Sequence, residues 1–198
     1  GSITTAVNIK GPDADLVCHA HAHGARVLWN VGGNVVTDFA PGYSLDDLTN
    51  ATARAIMATA LAKGVHDAGY DGAVLDIESN AAPAGGNQTA RREALTAFAR
   101  EVRLALEALN PAASVSFATT VYPNITGTKG GWPHFDLPAL ANEVDFFFVM
   151  AYGTWDVGAG DPAYSNSDYQ QLAQGIAGYA ELGVNVSEKI VLGLPWYG

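Results

Sequence analysis

The run Asp71-Gly72-Ala73-Val74-Leu75-Asp76-Ile77-Glu78 ends an apolar, strand-like segment on two carboxylates that a packed interior does not ordinarily tolerate. Side chains alternate along a strand, so Val74, Asp76 and Glu78 share one face and Ala73, Leu75 and Ile77 the other. At the rise of a strand, the Cα atoms of Asp76 and Glu78 fall roughly 7 Å apart, which lets their carboxyl groups meet and share a proton. Partial burial and a neighbouring negative charge both raise a carboxyl pKa, so one member of such a pair can stay protonated near neutral pH and serve as a general acid. The plainer reading makes Glu78 an exposed strand-end residue or the cap of the next helix. The octapeptide alone does not separate the two.

Outward from this run, short β-rich segments alternate with helical ones along the whole chain, the pattern of βα units around a parallel sheet. The expected strands are Ile3 to Ile9, Arg26 to Val31, Gly72 to Glu78, Ser114 to Val121, Val144 to Tyr152 and Lys189 to Leu194. A helix is expected from the capping-box-like Ser44-Leu45-Asp46-Asp47 through the alanine-rich run to about Asp67. Another is expected between Thr89 and Leu109, where Leu95, Phe98, Val102, Leu106 and Leu109 recur at three- and four-residue spacing before Asn110-Pro111. The loose stretches Ala81 to Gly86 and Thr126 to Gly131 follow strands, at the end where barrel active sites are built. The Gly-x-Gly-x-x-Gly fingerprint of a doubly wound sheet is absent after the first strand, so a (β/α)8 barrel is the expected fold.

The 198 residues, 48% hydrophobic and 15% charged, can bury one sizeable core, and a single domain spanning 1–198 is the expectation. A net charge of −10, without basic clusters, argues against nucleic acid or an anionic membrane as partner and favours a neutral ligand such as a sugar. The apolar stretches near Val144 to Tyr152 and Ile190 to Pro195 are too short to cross a bilayer. Cys18 is the only cysteine, which excludes an internal disulfide. Asn50, Asn87, Asn124 and Asn185 each begin an Asn-x-Ser/Thr sequon, where about one is expected by chance, pointing to the secretory pathway and an extracellular or lysosomal destination. The opening Gly1-Ser2 reads as an expression scar or a processed fragment.

Asp71 to Glu78 resembles the Asp-Gly-x-Asp-x-Asp-x-Glu signature of glycoside hydrolase family 18, the chitinase family, with its chitobiase branch the nearest likeness. The likeness continues, in family order, through Leu16-Val17-Cys18-His19-Ala20-His21, Gly24-Ala25-Arg26-Val27, Ala94-Leu95-Thr96-Ala97, Phe147-Phe148-Val149-Met150-Ala151-Tyr152 and Leu192-Gly193-Leu194-Pro195-Trp196-Tyr197-Gly198. It implies that the chain spans about the second to seventh strands of the barrel, with the first and eighth missing. Ile3 to Ile9 and Lys189 to Leu194 are then unpaired edges that invite pairing with other chains, so the fragment alone is expected to be oligomeric or poorly active.

The resemblance further implies hydrolysis of β-1,4-linked N-acetylglucosamine, in chito-oligosaccharides or an N-glycan core, with no metal and no cofactor. Glu78 would protonate the glycosidic oxygen while the substrate's own 2-acetamido carbonyl attacks the anomeric carbon. Asp76 would hold the acetamido N–H, Tyr152 its carbonyl, and Met150 would lie beneath the sugar. Tyr122 and Trp196 would wall the pocket, and Asp71 and Gly72 would serve the motif's structure. Two positions depart from the pattern: Val74 stands where the signature has its middle aspartate, and Gly153 where an aspartate follows the Met-x-Tyr triplet. Asp156 is the expected substitute for the latter. These departures keep open a second reading, a chitinase-like protein that binds N-acetylglucosamine glycans without turning them over.

A third reading makes Asp76 and Glu78 magnesium ligands, although no third converging carboxylate is evident in sequence. His19, His21 and His23 fall on an expected helix where only His19 and His23 share a face, a poor metal site without a nearby acid. Trp29, Trp132, Trp155 and Trp196 divide between core and sugar-stacking readings, with Trp196 favoured for the site.

Overall fold

The computed structural model describes residues 2–6, 13–32, 40, 42, 45–78, 87–123, 135–153 and 165–197. Six strands are present: β1 (Ser2–Ala6), β2 (Ala25–Gly32), β3 (Gly72–Asp76), β4 (Ser114–Thr120), β5 (Phe146–Met150) and β6 (Ile190–Gly193). All neighbours are parallel, and the sheet order follows the chain from β1 to β6. An unreversed order is that of a barrel wall, because a doubly wound sheet reverses at its switch point. Among the described residues β1 and β6 pair on one side only, so the wall is an open sector of a barrel.

Between the strands lie α1 (Ala14–Ala22), α2 (Ala51–Asp67), α3 (Gln88–Leu109), α4 (Leu137–Ala141), α5 (Tyr169–Glu181) and α6 (Val186–Lys189). The helix expected from Ser44 is in fact two elements, a 3-10 turn at Leu45–Thr49 and then α2. Asn50 divides them: its Oδ1 accepts the N–H groups of Thr52 and Ala53, starting a new helix with two of its free amides satisfied. Asn87 caps α3 through Thr89 and Ala90 in the same way.

The strands have two different faces. Val27, Val31, Leu75, Phe117 and Phe147 turn outward and pack with Met57, Leu61, Phe98 and Val102 of the helices in the main core. Leu28, Val74, Ala118 and Phe146, with Phe148 beside them, form a smaller apolar cluster on the inner face. Trp29 belongs to the outer core, stacked on Tyr70 with ring centroids 5.1 Å apart, which settles its reading as structural.

One local device recurs at the N-terminal ends of β3 and β5. Asp71 donates its N–H to the Val27 carbonyl at 2.8 Å and accepts the Val27 N–H on Oδ2 at 2.7 Å. Asp145 makes the same ring with Val115, at 2.8 Å in both directions. A carboxylate just before each strand thus satisfies the amide of a strand neighbour, setting register where the ladder begins. Gly72 follows for a steric reason: a Cβ there would stand 1.9 Å from the Ser114 carbonyl oxygen. Asp71 also meets His21 Nε2 at 2.9 Å, an acid partner for that histidine that sequence proximity did not reveal.

Candidate active site at the strand ends

Asp76 is the last residue of β3, and Glu78 lies two residues further on, beyond the strand. The expected strand through Glu78 is therefore shorter, its last ladder pair to β2 being Gly32 with Asp76. Burial raises the pKa of both acids. Their mutual contact acts in opposite directions, lowering Asp76 and raising Glu78, and the Asp76 charge raises Glu78 further. Both acids thus resist ionisation, the condition under which one of a close pair keeps a proton near neutral pH.

The partner that Val74 cannot supply to Asp76 comes from the adjacent strand. Asn30, paired with Val74 in the β2–β3 register, donates from Nδ2 to Asp76 Oδ2 at 3.1 Å. Asp76 Oδ1 is buried and has no well-formed hydrogen bond. Asn30 was missed in the sequence, although a polar residue inside the apolar run Val27-Leu28-Trp29-Asn30-Val31 was the available signal.

Tyr152 stands two residues beyond β5 and is half-buried. The pKa of its phenol is raised first by burial, then by Tyr197, and then by the charges of Asp76 and Glu78. Its ring meets Tyr197 edge-on, with centroids 6.2 Å apart. Met150 ends β5, in register with Thr120 on one side and Gly193 on the other, and is partly buried. Gly153 follows with φ of +60°, a left-handed conformation suited to glycine, and donates its N–H to Asn166 Oδ1 at 2.8 Å. Asn166 in turn donates to the Tyr197 carbonyl, tying the segment after β5 to the one after β6.

Tyr122 lies just past β4, its backbone held by Thr120: Oγ1 donates to the Tyr122 carbonyl at 2.8 Å and accepts its N–H at 3.1 Å. Burial and then the Asp168 charge raise its phenol. Trp196 is fully exposed beyond β6. Asp71 and Gly72 sit at the opposite end of β3, where they build the fold rather than touch the site. Asn50, Asn87 and Asn185 are exposed helix N-terminal residues. Asp156, Asn124, Trp132 and Trp155 lie outside the described residues. Among the described residues no group of three or more His, Cys, Asp or Glu gathers to hold a metal ion, and no helix is long and apolar enough to cross a membrane.

Comparison with known proteins identifies the relatives of this arrangement. The family model described as Glycosyl hydrolases family 18 matches residues 12–198. Di-N-acetylchitobiase of Rattus norvegicus is 30% identical over 200 residues, covering 99% of this chain and 48% of that protein. Di-N-acetylchitobiase of Homo sapiens is 27% identical, covering 99% and 46%. The chain thus spans about half the length of the curated relatives it matches. Among solved structures, a chitinase from Chromobacterium violaceum superposes with a TM-score of 0.75 at 18% identity, covering 100% of this chain and 62% of that one. A class V chitinase from Pseudomonas fluorescens gives 0.73 at 22%, with the same coverage. At these identities the structural likeness speaks for the barrel fold alone.

Proposed function

Because the chain belongs to glycoside hydrolase family 18, we propose that it carries the catalytic centre of a glycosidase acting on β-1,4-linked N-acetylglucosamine, with Glu78 as general acid and base. The observation that carries this reading is Asp76 at the end of β3, held there by Asn30, with Glu78 two residues on and the pKa of both acids raised by burial. In the first step the 2-acetamido carbonyl oxygen of the substrate bonds to the anomeric carbon as the glycosidic C–O bond breaks. Glu78 gives its proton to the departing oxygen. Asp76, as an anion, holds the acetamido N–H and offsets the positive charge that develops on the oxazolinium. Water then attacks the same carbon and gives a proton to Glu78 while the bond to the acetamido oxygen breaks and restores the acetamido group, so configuration is retained overall.

Turnover of a chromogenic chitobioside by the protein, with and without chelator, tests the reading. Hydrolysis that is indifferent to chelator supports it. Binding without turnover supports the alternative that Val74 and Gly153 favour, a glycan-recognising relative, and loss of activity with chelator would point to magnesium on Asp76 and Glu78. We also propose passage through the secretory pathway. In Asn50 and Asn87 the cap engages Oδ1, leaving the side-chain nitrogen as a glycan acceptor. A mass shift on enzymatic removal of N-glycans from protein made in a eukaryotic host is the check.

A further inference from the structure

We infer that Asn30 is a positioning residue, which holds Asp76 by one carboxylate oxygen and leaves the other free to face Glu78 and the substrate amide. The inference rests on the glycosidase reading and adds a residue from a different strand to it. Three observations meet here. Val74, at the place of the signature's middle acid, is buried and apolar, so β3 itself offers Asp76 no donor from the layer below. The parallel register sets Asn30 beside Val74, on the same inner face and one layer beneath Asp76. From there its amide nitrogen reaches Asp76 Oδ2 at 3.1 Å, while Oδ1 stays buried and without a well-formed partner.

The chemistry of an amide decides what such a support can do. Asn30 donates a hydrogen bond but has no proton to lose, so it orients Asp76 and favours its anion without adding a third titrating acid. The titrating groups facing Asp76 among the described residues are then Glu78, just beyond β3, and Tyr152, just beyond β5. Oδ1, buried beside Glu78 and without a well-formed partner, keeps acceptor capacity for an acetamido N–H supplied by the substrate. Removing Asn30 frees both oxygens and lets the carboxylate turn away. The Asn30 bond lowers the Asp76 pKa, so its loss raises that pKa. Activity that needs Asp76 ionised must then fall away at higher pH on its acid side.

Asn30→Leu keeps about the size and removes the donor; Asn30→Ala removes the group. Two readouts are needed, kcat and KM on a chitobioside across pH, and the carboxyl titration of Asp76 followed by carbon NMR. A hydrogen bond to a charged group carries about one to two orders of magnitude, so kcat should fall roughly 10- to 100-fold in both variants while KM changes by less than about 3-fold. The acid limb and the Asp76 titration should both move to higher pH. A folded variant with an unmoved Asp76 titration, or with wild-type kcat and acid limb, overturns the inference, as does a change confined to melting temperature. If the parent protein turns nothing over, the glycosidase reading fails, and the Asp76 titration still decides the role of Asn30.

Discussion

The hydroxyl of Tyr179 in α5 donates to the backbone carbonyl of Thr120 in β4 at 2.6 Å, across 59 residues of sequence. A phenol has one proton to give, so the Thr119 hydroxyl, 3.0 Å away, must donate to Tyr179 in return. Tyr179 is fully buried, and four residues before it Gly175 presses on the same strand end, where a Cβ would stand 2.0 Å from the Val121 carbonyl oxygen. One helix thereby holds Thr119 to Val121 in place, and Thr120 holds the backbone of Tyr122. The wall of the candidate pocket is set from outside the barrel.

Tyr179→Phe keeps the ring and strands the Thr120 carbonyl and the Thr119 hydroxyl in the core. We expect a loss of about 1–3 kcal/mol in chemical denaturation. An unchanged midpoint would mean that these groups find other partners.

Glu78→Gln preserves shape and hydrogen bonding but has no acidic proton. Turnover of a chitobioside should fall by roughly 100-fold or more while binding of the glycan persists in calorimetry. Unimpaired turnover would remove Glu78 from the role of acid.

The basic limb of the pH–rate profile follows the Asp76 charge. Glu78 acts while protonated, and Asp76 is one of the causes that hold its pKa above the usual range. In Asp76→Asn that charge is gone, the Glu78 pKa falls, and the remaining activity should be lost at lower pH than in the parent. A basic limb that stays in place or moves upward would contradict the coupling.

Gly72→Ala places a methyl group 1.9 Å from the Ser114 carbonyl, with φ at +151°. The β3–β4 register cannot absorb this without backbone movement, so we expect roughly 2–4 kcal/mol of destabilisation by thermal melting. Gly24, also at positive φ but with nothing within 4 Å, offers a control free of the clash.

Self-association is expected when residues 1–198 are expressed alone, through the edge of β6 that is unpaired among the described residues and its exposed Val191 and Leu192, with a second copy as partner. Light scattering should show mass growing with concentration, and Val191→Lys should reduce it. A monomer at every concentration would show the edge to be protected.

The sequence by itself determined the parallel βα architecture and the acid pair. Apolar runs at strand and helix periods are local signals, and Asp76 and Glu78 stand two residues apart on one strand-like segment. Asn50 shows the limit of local reading: a sequon and a helix cap are the same letters, and the division between the 3-10 turn and α2 depends on where the backbone amides point. The tertiary structure alone decided that Asn30 bonds to Asp76, that Tyr152 meets Tyr197, and that Tyr179 holds Thr120. These are contacts between different elements, fixed by strand register and by helix packing on the sheet, and no spacing along one segment encodes them.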